Sequence, residues 1–403
     1  MAEIAVIIRL LNNRSGGAER LYCELANKLA QHGHQVSCLI YESNYKQAFY
    51  RMDSKVHVVN LFVPFKNRSL LTKLSQKLVP ASYKKKNFLF SPLDFIGAEL
   101  DFILQLKRFF KGRKPDIAIS FLPSANTPVL VATRGTDVRT ICTNHNVPQQ
   151  DYGNPERWSQ NPLDRYLRRV LIKKADIIHV LFDEFGNWFG DSVKHKVRTI
   201  ENYVPDDFFL KDEVKQKSNL IVGIGRLAPV KNYGVLIHAW AKIHKKHPSW
   251  SVEIYGTGPL RKQLESEIKE LGLSKSFILK GHVEDVKSVY DEAKIFCHPA
   301  KYEGFGLSVA ESLARGVPVV AFQDCDGVNQ YVKDGFNGLM LSRQSGEEEV
   351  ENLAEGLSTL IEDDEMRETL ANKASDSVKE FSETLYYQKW ERLIAELDQL
   401  QKV

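Results

Sequence analysis

Cysteine is scarce in this sequence: Cys23, Cys38, Cys142, Cys297 and Cys325 are the five among 403 residues. Their number is odd, they are scattered, and no two form a C-x-x-C pair, which excludes a disulfide scaffold and a zinc module of ordinary spacing. A reducing compartment is expected. Long apolar runs are missing too. No eighteen consecutive residues are uninterrupted apolar ones, so no membrane-spanning helix is expected. The opening MAEIAVIIRLLNN carries Glu3 and Arg9 inside its apolar run and reads as a first strand, not as a signal peptide. No G-x-G-x-x-G follows that strand, which leaves NAD binding little support. Low-complexity tracts and long-period repeats are likewise lacking. What is present, 43% hydrophobic and 26% charged residues, is the composition of a globular chain long enough for two domains with separate cores. A soluble or peripheral protein on the cytoplasmic side is expected.

The order of elements gives the fold class. Residues 3–10 read as a strand, 12–17 (NNRSGG) as a loop, 18–31 as a helix stopped by Gly33, and 36–41 as the next strand, which together make a parallel βαβ unit. Further strands are expected at 116–121, 139–143, 177–182 and 197–200. The polar, charged, proline-bearing stretch 203–219 reads as a linker. Beyond it the pattern restarts, with strands at 220–225, 251–255, 277–279, 294–298 and 318–322. Helices are expected near 233–246, before 271 and near 285–293. After a turn at 335–338 the chain reads as helical over 347–362, 364–381 and 383–401. The last of these carries Leu385, Trp390, Leu393, Ile394 and Leu397 at helical spacing, an apolar stripe that needs a surface to cover it.

The chemistry is concentrated around residues 301–318, KYEGFGLSVAESLARGVP. Gly304, Phe305, Gly306 and Leu307 lead into the first turn of a helix, where free backbone N–H groups and the helix dipole favour a phosphate. Glu303 stands in the loop before this seat and Glu311 in the helix after it. Carboxylates on either side of a phosphate seat suit a ligand with hydroxyls at both ends, and a nucleotide-sugar has that shape. Taken alone, such a loop is also common in α/β proteins without that function. Arg226 and Lys231 follow a strand's carboxyl end on the same edge, where two cations can neutralise a diphosphate and Arg can fork onto two oxygens. His145, in Asn144-His145-Asn146, follows the strand at 139–143 at the edge where parallel sheets bind ligands; position alone favours it. Gly16 and Gly17 either let the backbone approach a ligand closely or simply make a tight turn.

Charge is unevenly spread. Residues 62–114 hold twelve Lys and Arg against three acids in a chain of net charge +4, so the remainder is net acidic. Apolar residues interleave with these cations, and Lys84, Lys85 and Lys86 are consecutive. Such a segment suits an anionic membrane surface. A solvated basic face is the other reading, and nucleic acid is not expected because no nucleic-acid motif accompanies the charge.

In order along the chain, SGGAE (15–19), GRLAPVKN (225–232), YGTGP (255–259), GHVEDV (281–286) and EGFGLSVAE (303–311) resemble the motifs of the retaining nucleotide-sugar glycosyltransferases of glycosyltransferase family four. The last matches the family's Glu-x7-Glu signature. The resemblance implies the GT-B fold: two Rossmann-like domains facing each other across a central cleft. The first, 1–205 completed by a C-terminal helix at 383–403 that crosses back to it, would bind the acceptor. The second, 206–382, would bind the nucleotide-sugar. The resemblance also implies that Arg226 and Lys231, helped by the amides of Gly306 and Leu307 within the Gly304–Phe305–Gly306–Leu307 turn, hold the donor diphosphate. Glu303 would hold the transferring sugar's hydroxyls, Glu311 the ribose, and Val283 would line the base pocket. Gly16 and Gly17 would face the diphosphate, and His145 would stand near the donor sugar as a catalytic residue beside Glu303. A hexose or N-acetylhexosamine, most commonly UDP-linked, would pass with retention of configuration to a glycan or lipid-linked acceptor at a membrane surface, in envelope polysaccharide, lipopolysaccharide or glycoprotein-glycan assembly. No cofactor and no metal are expected, and Asp324-Cys325-Asp326, which looks like a metal-binding D-x-D, is expected to do only loop chemistry. The alternatives are a sugar-nucleotide epimerase of the same double Rossmann fold and a non-catalytic sugar-nucleotide-binding subunit.

Overall fold

The computed structural model describes residues 1–14, 16–79, 88–155, 157, 159–209 and 217–399. Seven strands make the first sheet: β1 (Glu3–Ile7), β2 (Gln35–Ile40), β3 (His57–Asn60), β4 (Ile117–Phe121), β5 (Arg139–Thr143), β6 (Ile177–Val180) and β7 (Val197–Thr199). They lie in the order β3-β2-β1-β4-β5-β6-β7, every neighbouring pair parallel. Six more make the second: β8 (Leu220–Ile224), β9 (Ser251–Tyr255), β10 (Phe277–Gly281), β11 (Ile295–His298), β12 (Val319–Phe322) and β13 (Gly338–Leu341). Their order is β10-β9-β8-β11-β12-β13, again all parallel. A parallel sheet is covered on both faces, so its central strands are near-continuous apolar runs; β4 and β12 are buried at every position. This is the expected α/β class with two parallel sheets.

Contacts divide the chain into Met1–Glu201 with Tyr387–Val403, and Asn202–Tyr386. In the first unit, Phe102, Leu106 and Phe110 of the helix Ser91–Arg113 pack with Ile7, Leu39 and Ala118 of the sheet. The C-terminal helix Glu383–Gln399 brings Trp390 to 5.2 Å from the His179 ring. Its apolar stripe is thereby covered, with Trp390, Leu393, Ile394 and Leu397 buried, while Leu385 stays exposed. In the second unit, Leu236 and Trp240 of the helix Tyr233–Ile243 share a core with Ile254, Leu353 and Leu357.

Several expectations need correction. β3 and β13 are strands that their short length concealed, β3 also by its polar ends; Gly338, expected in a turn, opens β13. The helices Leu70–Leu78, Ser91–Arg113 and Pro123–Ala132 were not anticipated. The stretch taken as a linker is folded at its start: Tyr203, Val204 and Phe208 are buried, and Asp206 accepts hydrogen bonds from Glu383 N and Thr384 Oγ1. Apolar anchors between the charges hold it down. The helix expected over 364–381 ends at Ala374, and a 3-10 turn, Asp376–Phe381, follows. Ser15, Lys84, Lys85, Lys86, residues 210–216 and the last residues of the expected final helix lie outside the described residues. Among the described residues no helix is long and apolar enough to cross a membrane.

In each sheet the strand order reverses direction once, between β1 and β4 in the first and between β8 and β11 in the second. Loops diverge at such a point and leave a crevice at the carboxyl ends of the strands. The loops after β1, β8 and β11 carry Gly16, Arg226 with Lys231, and Glu303 respectively.

Candidate active site

At the carboxyl edge of the second sheet three motif loops are joined main chain to main chain. Gly225 N donates to Tyr255 O (2.9 Å), Leu227 N to Thr257 O (2.9 Å) and Gly256 N to Gly281 O (2.7 Å). The glycines of YGTGP permit this approach. Gly256 has φ +145°, and a Cβ there would stand 2.0 Å from the Gly225 carbonyl oxygen. Any side chain would push the loop after β8 out of place. Lys231 lies in a 3-10 turn, Pro229–Lys231, directly before the helix Tyr233–Ile243. Val283 is half-buried in the turn after β10. Arg226 is exposed, and among the described residues no acceptor engages its guanidinium.

The loop after β11 closes the site. Lys301 N donates to Val230 O and Glu303 N to Asp326 O, tying it to both neighbouring loops. Gly306 adopts φ +83° and N-caps the helix Leu307–Ala314, whose first amides have no intrahelical acceptor within reach. A Cβ on Gly306 would come within 2.9 Å of Val328 Cγ2. The Tyr331 hydroxyl lies 2.9 Å from both the Phe305 and the Gly306 carbonyl oxygens and fixes the turn from behind. The Phe305 ring is buried against Tyr331 and Phe381, so only the backbone of Phe305 can serve a ligand. Gly304 and Gly306 are buried as well.

Glu303 pairs with Lys231, and His298 Nε2 lies 3.4 Å from its Oε1. Burial works to raise the Glu303 carboxyl, but the Lys231 charge and the His298 imidazole outweigh it and hold the group at about 2. Burial pushes His298 down from its ordinary value. At neutral pH the cluster thus sets an ionised carboxylate beside a neutral imidazole. Glu311 is buried and accepts a hydrogen bond from the Tyr290 hydroxyl at 3.1 Å. Asp324 accepts from Arg343 Nε at 2.7 Å, while Arg343 Nη2 donates to Ala300 O at 2.6 Å. Cys325 is buried, which drives its thiol far above the usual range. The first carboxylate of the D-x-D look-alike is therefore engaged in holding loops together.

The first sheet presents a different edge. Gly16 N-caps the helix Gly17–Gln31, both glycines are exposed, and a Cβ at Gly16 would meet Glu19 Oε2 at 2.3 Å. His145 is half-buried just past β5, its ring stacked on Phe121 with centroids 4.8 Å apart and 13° between planes. Its neighbours are anchored: Asn144 Nδ2 donates to His179 O (2.8 Å) and accepts at Oδ1 from the Tyr152 hydroxyl (2.5 Å). Asn146 Nδ2 donates to Asp151 Oδ1, which also receives Arg157 Nε. The imidazole is thus presented from a stiff turn.

Lys231, Glu303, Glu311 and the Gly304–Leu307 turn come together around one switch point, with Arg226 beside them. Gly16, Gly17 and His145 stand at the carboxyl edge of the other sheet. His298, Tyr290, Tyr331 and Arg343 were not foreseen. His298 was within reach: it ends β11 at the edge that drew attention to His145. The other three support loops from distant sequence positions, which no local pattern signals.

Two parallel α/β sheets with ligand-type loops at their carboxyl edges make a double Rossmann architecture, the one found in GT-B proteins. A solved structure of Anabaena Alr3699/HepE in complex with UDP and glucose shares that fold, with a TM-score of 0.73 at 18% identity over 98% of this chain and 99% of that one. Residues 15–208 match the family model described as Glycosyltransferase Family 4 and residues 206–377 the one described as Glycosyl transferases group 1. The chain belongs to the glycosyltransferases of family four and is an enzyme of that class. It is similar to a Campylobacter jejuni protein named GalNAc-alpha-(1->4)-GalNAc-alpha-(1->3)-diNAcBac-PP-undecaprenol alpha-1,4-N-acetyl-D-galactosaminyltransferase, at 29% identity over 98% of this chain and 99% of that one. It is also similar to the amylovoran biosynthesis glycosyltransferase AmsD of Erwinia amylovora, at 22% identity over 98% of this chain and the whole of that one. These relatives do not favour the epimerase alternative.

Proposed function

We propose that the enzyme transfers a hexose or N-acetylhexosamine from a UDP-sugar, with retention of configuration and without a metal, to a lipid-linked glycan at the cytoplasmic face of a membrane, in the assembly of an envelope polysaccharide or glycan. UDP as the carrier is supported by the UDP and glucose named with the HepE structure. A polyprenyl-diphosphate-linked acceptor is supported by the name of the Campylobacter relative. The observation that carries the reading is the Lys231–Glu303 pair set beside the capped start of the helix Leu307–Ala314.

Departure of the leaving group puts negative charge on the diphosphate. Lys231, held by Glu303, the amides of Gly306 and Leu307, and the exposed Arg226 would meet that charge as it develops and so stabilise the transition state more than the bound substrate. They supply the charge that a metal would otherwise supply. Glu303 is ionised at any working pH, since its carboxyl sits at about 2, and so accepts hydrogen bonds from sugar hydroxyls without acting as an acid. Glu311, steadied by Tyr290, accepts from the ribose, and Val283 lines the base pocket. No carboxylate nucleophile is assigned; the acceptor attacks from the face the diphosphate leaves. His145 and the Gly16–Gly17 turn keep the donor-facing roles that the family resemblance gives them.

The test is Lys231→Ala. Wild-type protein should gain thermal stability with UDP, about 2.7 kcal/mol at one hundred times Kd. In the variant that gain should shrink and transfer from a UDP-sugar should fall roughly 10²–10³-fold, the scale of losing a prearranged charge donor. Unchanged stabilisation and turnover would remove Lys231 from the site.

A further inference from the structure

We infer that the helix Leu70–Leu78 is a membrane-docking element that seats its leucines in an anionic bilayer. Its orientation is the reverse of an ordinary surface helix. Thr72 and Ser75 are the buried residues, while Leu70 is 72% exposed, Leu71 62%, Leu74 45% and Leu78 60%. At 3.6 residues per turn these leucines fall within about 100° of arc, with Lys73 and Lys77 bordering the same stripe. Phe65, Phe88 and Leu89 are also exposed, so seven of the sixteen exposed large apolar side chains among the described residues lie between 65 and 89. A concentration of this kind on a folded surface marks something that covers it.

The inversion is built in and not a loose fit. Ser69 caps the helix by accepting from Thr72 N, and Ser69 N donates to Asp101 of the helix Ser91–Arg113. Gln76 Nε2 donates to Gly97 O at 2.9 Å, and a Cβ on Gly97 would come within 3.1 Å of Gln76 Cγ. The polar side therefore packs closely on its neighbour and fixes the leucines outward.

Charge selects the occupant. From residue 61 to 93 the sequence has seven Lys and Arg and no Asp or Glu. Exposed leucines bordered by lysines, in a stretch of sequence without acids, match the headgroup and acyl boundary of an anionic bilayer, not a second copy of the same basic surface, which would set like charges against each other. The supporting helix is tied to the carboxyl edge of the first sheet: Arg9, in the loop after β1, pairs with Glu99 at 2.5 Å and donates to Ala98 O. Docking would hold the edge that carries His145 near the lipid surface. This deepens the proposal of a lipid-linked acceptor and rests on it.

The experiment is flotation with phosphatidylcholine vesicles, with and without about 30 mol% phosphatidylglycerol. Wild type should float with the anionic vesicles, less at high salt and less with phosphatidylcholine alone. The combined Leu70→Ser, Leu71→Ser, Leu74→Ser and Leu78→Ser variant should lose binding on the order of tenfold or more while keeping the wild-type melting temperature and the wild-type UDP response measured without vesicles. Lys66→Ala with Lys73→Ala and Lys77→Ala should weaken only the anionic case. Equal flotation of wild type and leucine variant overturns the inference, as does a wild-type dimer that ignores vesicles and dissociates in the leucine variant. Wild type that floats but shows no UDP response supports the surface and overturns the donor reading instead.

Discussion

The carboxyl edges of the two sheets are built from opposite materials. The second holds formal charge in contact, with Lys231 on Glu303, His298 behind them and Arg343 bracing the loops. The first is mostly neutral: the stacked His145, the anchored Asn144 and Asn146, Tyr152, and below them Ser120 bonded to Asn126. The acids near it are already matched among the described residues, Asp151 by Arg157 and Glu99 by Arg9 of the loop after β1. A diphosphate leaving group needs charge beside it, whereas a sugar needs shape and hydrogen bonds. Under the proposed function this contrast would give donor activation to the second unit and leave the first to orient what arrives.

The largest expected effect tests the charged edge. Glu303→Gln keeps the shape of the side chain and removes its charge, and kcat should fall by roughly 10²–10³ with the fold retained by circular dichroism. The same variant has a pH signature. A carboxyl held at about 2 in the fold, below its ordinary 4.5, adds stability that is present above 4.5 and is lost as pH falls from there towards 2. His298, lowered by burial, contributes separately: the unfolded chain takes up its proton first, so stability declines as pH drops below 6.5. Urea midpoints measured against pH should therefore decline in both proteins below 6.5, but the further loss between 4.5 and 2 should be absent from Glu303→Gln. Parallel curves down to pH 2 would mean that the Lys231 pair does not depress this carboxyl.

A smaller effect should follow at the neutral edge. His145→Ala removes a ring held by stacking on Phe121 and should lower transfer by about 10–100-fold, in the range of a positioned hydrogen-bonding or proton-handling group. Its UDP affinity, read by calorimetry, should stay within about threefold of wild type, since a loss near 0.6 kcal/mol is the most that an indirect effect should give. If UDP binding collapses instead, the two edges do not divide the work between diphosphate and sugar.

The charged edge was the more legible of the two. Glu303, Gly306 and Glu311 sit in one continuous motif between two apolar strands, so spacing alone put them together, and Arg226 and Lys231 followed a strand end that was equally plain. His145 had only its position. Less legible still were residues that act across long sequence gaps: Tyr331 reaches back to the Phe305 and Gly306 carbonyls, and Arg343 to Ala300. The leucines of the helix Leu70–Leu78 stand at helical spacing in the sequence; what spacing cannot give is the direction of that stripe, which faces out while Thr72 and Ser75 face in. β3 and β13 escaped because four residues of mixed burial carry too little alternation to register.

The smallest expected effect is also the sharpest test of how the charged edge is organised. Glu311 is buried within one helical turn of the phosphate seat, and its Oε2 receives the Tyr290 hydroxyl. If that hydroxyl only fills space, Tyr290→Phe should change little, because the ring keeps its packing near Phe208 and Phe296. If it aims the carboxylate at a ribose, the loss of one hydrogen bond, about 1 kcal/mol, should appear in donor recognition. KM for the UDP-sugar should rise roughly three- to tenfold at constant kcat, since the ribose contact is equal in the ground and transition states. A fall in kcat at constant KM would instead tie Glu311 to the chemical step and extend the charged cluster from Glu303 along the helix.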